Sequence, residues 1–359
     1  MKKVCFLISA LDHSGGTERV TTLIANSLAK RGFNVSIISS IGGTSPFFKL
    51  DERIKIFSLY PEATSIKKHT LGLIKRIRAV LVKEEIETLI VVDSINCVFT
   101  TIACRGLKIN HICWEHFNLS VNLGSKFRSL GRWMAVKWCS QIVTLTERDK
   151  QNWETKYRIN NKVKTIFNPS TCQQQQHMPD LGYKTILCVG RLTQQKGFDL
   201  LISAWSKIAS EFIDWKIIIV GSGEDELILK NKVTEYGLGC SVIFKGQQQD
   251  VAPFYLAASF FCMSSRFEGL PMVLLEAQSY SLPIVAFDCD TGPAEIVQHN
   301  ISGFLVNKLD VDDMAGSLRK MMLVDQNTYK KMCKNALRNT TNFDLNSITL
   351  LWEKVVNHE

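Results

Sequence analysis

Glu268 and Glu276 flank a turn and a helix start in the stretch FEGLPMVLLE, with seven residues between them. Gly269 and Pro271 mark the turn and the first helical position. Leu270, Val273, Leu274 and Ala277 give the helix its apolar face. The backbone N–H groups of Gly269, Leu270 and Met272, unpaired at a helix start, suit an anion. Carboxylates on either side of them are placed to grip hydroxyls. Together they suit a diphosphate with a polyol at each end, which is a nucleotide-sugar. Taken without its neighbours, the pair reads more simply as an N-cap acid and a surface acid on an ordinary helix. Earlier in the chain, Gly190-Arg191-Leu192 is followed by Gln195-Lys196-Gly197. Arg191 offers a fork and Lys196 a point charge for two phosphates; the plainer reading is two surface cations near a turn. His116 follows an apolar strand over 110–113, where an α/β sheet places ligand-binding groups, or it serves structure alone.

The elements that must carry these groups are legible as two α/β series. KVCFLISA at 3–10 reads as a buried strand; a turn with Gly15 and Gly16, a helix stopped by Gly32 and a second strand over 34–39 follow. The turn is not G-x-G-x-x-G, and no acid stands about 20 residues on to hold a ribose, which weakens a dinucleotide reading. Strands are expected at 87–92, 110–113, 141–146 (ending on Thr146) and 163–167. The first domain is then 1–168. STCQQQQHMPDLGY makes 169–183 a polar linker. A second domain, 184–343, restarts with a strand over 184–189 and continues with 215–220, ending in Gly221-Ser222-Gly223. Next come 241–247, with Lys245, Gly246 and Gln247, then 260–263 and the anchor stretch. DLNSITLLWEKVVNH at 344–358 reads as an amphipathic helix.

At 359 residues, 45% hydrophobic and 21% charged, the chain buries a large core and is not disordered. No apolar run approaches a membrane span, and the N-terminal run ends in Asp12-His13-Ser14-Gly15-Gly16 without a cleavage pattern. Eleven scattered cysteines without a CxxC motif point to reduced thiols in the cytosol. Residues 1–170 hold 26 Lys and Arg against 13 Asp and Glu, and the remainder 17 against 21. A basic first half meets something anionic. Nucleic-acid motifs are absent, which leaves a membrane surface. IKKHTLGLIKRIRAVLVK at 66–83 and KFRSLGRWMAVKW at 126–138 are basic and amphipathic, the second with Phe127, Trp133, Met134 and Trp138 among four basic residues. Each is either an interfacial anchor or a core helix with a solvated basic face. His111, Cys113 and His116 do not form a metal set: the first two share a strand face, the third does not, and no fourth ligand is near.

The E-x7-E pair in EGLP context, GRL-x3-KG at 190–197, GG-x-E-R at 15–19 and D-x-x-T-G-P-x-E at 288–295 resemble the motifs of the retaining glycosyltransferases of family 4. The resemblance spans nearly the whole chain, strongest over 190–296. It implies an α/β protein of the GT-B fold, two Rossmann-like domains facing each other across a cleft, with the last helix (344–359) returning to the N-terminal domain. Glu268 would then bind the transferred sugar, and Glu276 the ribose. Arg191 and Lys196 would clamp the diphosphate, and His116 would lie beside the donor sugar. The resemblance places Gly15, Gly16, Gly190, Gly221, Gly246, Gln247, Gly269, Leu270 and Pro271 along the nucleotide-sugar. Asp288-Cys289-Asp290 belongs to the T-G-P loop and is not read as a DxD metal site.

The implied activity is retaining transfer of a hexose or N-acetylhexosamine, from a UDP-sugar or similar donor to a lipid-linked glycan, in surface polysaccharide assembly (O-antigen, capsule, exopolysaccharide or lipopolysaccharide). The donor is a substrate, no cofactor is expected, and two fixed cations make the reaction metal-independent. The protein is expected in the cytoplasm, peripheral to the inner membrane, with no nucleic-acid partner. Rival readings are a UDP-sugar 2-epimerase or a phosphorylase of the same fold, and a non-catalytic glycan- or lipid-binding protein.

Overall fold

The structure, a computed structural model, describes residues 1–13, 15–61, 69–122 and 124–357. The chain divides into two compact units, Met1–Pro169 with Asp344–Glu359, and Ser170–Phe343.

The first unit runs β1 (Lys3–Ile8), α1 (Gly16–Lys30), β2 (Asn34–Ser39), β3 (Lys55–Ser58), α2 (Thr70–Lys83), β4 (Thr88–Val92), α3 (Cys97–Ala103), β5 (Asn110–Trp114), α4 (Lys126–Trp138), β6 (Gln141–Thr144), α5 (Glu147–Tyr157) and β7 (Val163–Thr165). All seven strands are parallel, in the order β3-β2-β1-β4-β5-β6-β7. Helices cover such a sheet on both faces, so its central strands are continuous apolar runs; every residue of β4 and β5 is buried.

The second unit runs β8 (Thr185–Val189), α6 (Phe198–Ser206), β9 (Lys216–Val220), α7 (Glu226–Glu235), β10 (Val242–Phe244), α8 (Ala252–Leu256), β11 (Phe260–Met263), α9 (Met272–Ser279), β12 (Ile284–Phe287), α10 (Pro293–Ile296), β13 (Gly303–Val306), α11 (Val311–Met322) and α12 (Gln326–Asn339). Its six strands are parallel, in the order β10-β9-β8-β11-β12-β13. The polar stretch after Pro169 lies on this unit: the Ser170 amide donates to Phe343 O at 2.8 Å and the Gln175 amide to Ser279 O at 2.8 Å.

The last helix, α13 (Leu345–Asn357), belongs to the first unit. Thr349 Oγ1 bonds Ser27 Oγ of α1 at 2.9 Å, Lys2 Nζ donates to Val356 O at 2.6 Å, and Trp352 packs edge-on against Trp114 at 4.7 Å. Thus the end of the chain closes the sheet on which the chain began.

The two basic helices differ: α2 buries an apolar side and leaves Lys75, Arg76 and Lys83 exposed, whereas α4 does not. In α2, Leu73, Ile77 and Leu81 are buried, Arg76 reaches Leu59 O and stacks over Tyr60, and Arg78 donates to the Ala103 and Arg105 carbonyls at 2.8 Å. It is a core helix; residues 66–68 of the expected segment lie outside the described residues. In α4 the polarity is inverted. Arg128 and Arg132 are buried, whereas Phe127, Leu130, Trp133 and Trp138 are 39–53% exposed. Two of the four basic residues expected on the surface therefore face inward, because buried carboxylates await them there. Among the described residues no helix is long and apolar enough to cross a membrane.

Candidate functional site

In the second unit the strand order reverses between β8 and β11. A parallel sheet opens a crevice at such a point, beyond the carboxyl ends of the two strands. The loop after β8 carries Gly190, Arg191 and Lys196, and the loop after β11 carries Glu268 and Gly269. The two loops are stitched together. Ser264 Oγ donates to Lys196 O at 3.0 Å, the Arg266 amide to Gln195 O at 2.7 Å, and Gln195 Nε2 to Phe267 O at 3.1 Å. Gly197 has φ +64°, and a Cβ there would stand 2.1 Å from Ser264 O, so only glycine allows this approach. Arg266 closes the seam with a two-toothed fork on Asp199, both contacts 2.7 Å. Burial alone would raise the Asp199 pKa; the fork holds it below its ordinary value.

The seam brings Lys196 Nζ to 2.7 Å from Glu268 Oε1, both largely shielded from solvent. The Lys196 stem lies on Gly190, in whose place a Cβ would sit 3.4 Å from it. Arg191 is exposed beside them, and its guanidinium has no partner among the described residues. Thr291 Oγ1 donates to Glu268 O at 2.7 Å, so the T-G-P loop pins the backbone of that acid. Asp290 is engaged by Lys308. One boundary shifts: Pro271 is the N-cap, with ψ 102°, and α9 begins at Met272. Proline's fixed φ fits both positions, but the extended ψ keeps this one outside the helix. The Gly269, Leu270 and Met272 amides donate to no protein acceptor among the described residues. Glu276 accepts from Thr171 Oγ1 and from the Tyr255 hydroxyl, each at 3.1 Å. Burial and then the Glu276 carboxylate hold the Tyr255 pKa well above its ordinary value, so it remains a donor. At the neighbouring strand ends, the Gly221 amide donates to Gly246 O at 2.8 Å, with Lys245 and Gln247 exposed on the rim. A Cβ on Gly221 would meet Gly190 O at 1.9 Å, so β8 and β9 also exit in direct contact.

In the first unit the order reverses between β1 and β4. Gly15 caps α1, and Gly16 opens it, just past the end of β1. His116 lies just past β5, buried, its ring 4.5 Å from that of Trp114 and its Nε2 without a partner among the described residues. Burial pushes its pKa down to about 3, so the imidazole is neutral at ordinary pH. Beneath it is a buried ionic network that the sequence reading did not anticipate. Glu115 is fully buried and accepts from Ser94 Oγ at 2.6 Å, Arg132 Nε at 2.8 Å and the Phe117 amide at 3.1 Å. Arg132 also donates to the carbonyls of Asn118, Leu119 and Val121 at 2.8–3.1 Å. One guanidinium therefore holds the whole loop after His116. Arg128 pairs with Asp93 at 2.6 Å and stacks over Phe117 at 4.3 Å. Asp149 accepts from the Leu119 amide at 2.8 Å; burial pushes its pKa up to about 7. Thr146, at the end of the expected 141–146 strand, is buried and caps α5 by accepting from the Asp149 amide. The available signal was Arg128 and Arg132, four apart on one helix and thus on one face. Such spacing alone does not distinguish a buried pair from surface charge.

The chain matches the model described as Glycosyltransferase Family 4 over residues 14–172, and that described as Glycosyl transferases group 1 over 170–339. It is 38% identical over 356 residues to an uncharacterized glycosyltransferase of Haemophilus influenzae, covering 99% of this chain and all of that one. The chain belongs to glycosyltransferase family 4. Another relative is a Campylobacter jejuni α-1,4-N-acetyl-D-galactosaminyltransferase whose acceptor is a diphospho-undecaprenol-linked glycan. That protein is 28% identical, over 99% of this chain and 98% of its own. The solved structure of Anabaena HepE in complex with UDP and glucose superposes with TM-score 0.79 at 18% identity, covering 99% of this chain and 100% of HepE. The two parallel-sheet units are the halves of the GT-B fold. This family 4 glycosyltransferase thus places its E-x7-E and GRL-x3-KG motifs at one switch point, in hydrogen-bonded contact.

Proposed function

We propose that this glycosyltransferase transfers a hexose or N-acetylhexosamine from a nucleotide-sugar, with UDP as the nucleotide, to a lipid-linked glycan in surface polysaccharide assembly, with retention at the anomeric carbon. The observation that carries the donor reading is the Lys196–Glu268 pair beside the unpartnered amides of Gly269 and Leu270. An incoming diphosphate competes for the Lys196 ammonium and frees Glu268 to accept hydroxyls of the sugar. Arg191, exposed and unpaired, supplies the second cation. Negative charge grows on the departing phosphate as the glycosidic bond breaks. Preorganised cations and N–H donors stabilise that charge more in the transition state than in the ground state. They do the work of a divalent ion, so the transfer needs none. Glu276, braced by Tyr255 and Thr171, takes the ribose hydroxyls. Gly246 and Gln247 line the base, and neutral His116 serves the reacting sugar as a hydrogen-bonding group.

The lipid-linked acceptor is supported by the Campylobacter relative and by the outward apolar stripe of α4. Trp133 and Trp138 meet edge to face at 5.3 Å, with Lys137 4.6 Å over the Trp133 ring. Aromatics flanked by lysine suit the headgroup level of an anionic bilayer. We assign this stripe to peripheral association with the inner membrane. A thermal-shift screen of nucleotide-sugars tests the donor, because a ligand that binds the native state alone raises its apparent stability. UDP-sugars should stabilise the protein in the presence of EDTA. No shift with any nucleotide-sugar would overturn the reading.

A further inference from the structure

Away from the sites above, three side chains inside the first unit meet without any role in sugar transfer. Cys97 opens α3, His111 is on β5, and Cys139 ends α4; all are at most 3% exposed. Cys97 Sγ and Cys139 Sγ are 4.0 Å apart, and Cys139 Sγ is 3.7 Å from His111 Nδ1. No two of the candidate ligand atoms are more than 4.8 Å apart. We propose that this cluster is a structural site for a thiophilic divalent cation of the zinc class.

The separations fit the ion. With Zn–S near 2.3 Å and Zn–N near 2.0 Å, tetrahedral edges are about 3.8 Å for S···S and about 3.5 Å for S···N. The Cys97–Cys139 and Cys139–His111 pairs lie within a few tenths of an ångström of those values, and the Cys97–His111 pair is within 4.8 Å. The imidazole is already oriented for the task. Thr100 Oγ1 donates its proton to Asn96 O at 3.2 Å, so at 3.0 Å it accepts from His111 Nε2–H. That leaves the lone pair on Nδ1, which is 3.7 Å from Cys139 Sγ against 3.9 Å for Nε2. A ring N–H held by an outer partner, with the other nitrogen left to ligate, is the arrangement that orients metal-binding histidines. Cys113 lies two residues beyond His111 on the same face of β5 but outside this ligand group, so the chain supplies three ligands. Sulfur and imidazole donors select zinc over magnesium or calcium. Each ligating thiol gives up its proton, and the cation's charge offsets the buried thiolates. The site is enclosed, so the ion enters as the chain folds. It ties together α3, the strand that leads to Glu115 and His116, and the end of the helix that carries Arg132. A structural ion here is separate from the reaction, which the preceding section takes to need no metal.

The test uses untagged full-length protein, unfolded and refolded under reducing conditions with Co2+. One Co2+ per chain should give thiolate-to-metal charge transfer and the intense visible bands of a tetrahedral site, and Zn2+ should displace it. Cys97→Ser and Cys139→Ser should each lose the charge-transfer intensity, whereas Cys240→Ser, at an exposed cysteine, should keep it. Wild-type protein with no such spectrum overturns the proposal whether or not the variants fold. So does a spectrum unchanged in both variants.

Discussion

Lys196 crosses from the loop after β8 to set its ammonium 2.7 Å from the carboxylate of Glu268, in the loop after β11. A cation and an acid that meet at a sheet's reversal point are both partly desolvated, so losing either one is not a local event. On the proposed donor placement Glu268→Ala removes a charge-assisted contact to the sugar, and turnover should fall about 10²–10³-fold. Lys196→Ala should instead weaken binding of the product nucleotide, read by calorimetry with UDP. Arg191→Ala, at an exposed position, should weaken the same binding while leaving the melting temperature unchanged. Unchanged UDP affinity in both cation variants would remove the clamp.

The seam itself is testable without substrate. Gly197→Ala places a methyl 2.1 Å from Ser264 O at φ +64°. The two loops must then part, and the strain at that φ adds a further cost. Destabilisation beyond the ~1 kcal/mol of an ordinary Gly→Ala change at positive φ is expected. Gly237, at φ +65° with open space around it, is the internal control. Urea denaturation should find Gly197→Ala clearly less stable than Gly237→Ala, with Lys196-dependent UDP binding lost in the former alone.

Sequence patterning exposed the parts of this protein where local rules and function agree. Apolar runs followed by Gly-rich turns located β1, β8, β9 and β11, because strands buried on both faces leave no alternation and end where a ligand approaches. Arg191, Lys196, Glu268 and Gly269 fall together because they sit in the loops that leave β8 and β11, the two strands at the reversal point. Two of the four edge strands escaped: β3 is four partly exposed residues, KIFS, and β13 is GFLV after a polar turn; the other two, β7 and β10, fall within the expected 163–167 and 241–247. Missed outright was the network under His116. A buried Arg132 and Glu115 carry the same sequence signal as solvated ones, and only three-dimensional packing brings Ser94, Glu115 and Arg132 together from three separate elements.

His116 makes the stability of the first unit pH-dependent. Its folded pKa is about 3, against an ordinary value of 6.5. Between those values the unfolded chain takes up a proton that the folded chain refuses. The contribution is therefore fully present above pH 6.5 and is lost as the pH falls toward 3, with a slope of up to about 1.4 kcal/mol per pH unit. Urea midpoints compared at pH 7 and pH 5 should drop less in His116→Gln than in wild type. Equal drops would mean that the imidazole is not held neutral.

The exposed stripe of α4 lets the proposed membrane association be tested apart from chemistry. Trp133 and Trp138 are 42% and 53% exposed, so Trp133→Ser and Trp138→Ser remove apolar area without opening the core. Co-sedimentation with vesicles containing anionic lipid should fall severalfold in the double variant, with turnover on a short water-soluble acceptor preserved. Undiminished sedimentation would assign the stripe to another partner.

Arg132 is the residue on which the first unit's site geometry turns. Its side chain is 1% exposed, and it bonds Glu115 and three carbonyls of the loop that follows His116. Removing one member of a buried pair leaves the other charge without compensation, which costs about 3–5 kcal/mol. Arg132→Met should therefore destabilise by that order. The double change Arg132→Met with Glu115→Gln should recover part of it, because a neutral amide tolerates burial better than a lone carboxylate. Arg132→Lys keeps the charge but cannot fork to several carbonyls. It should fold, retain UDP binding in the second unit, and lose kcat as the His116 loop loosens. A Lys variant with wild-type kcat would show that the loop is held by its backbone alone.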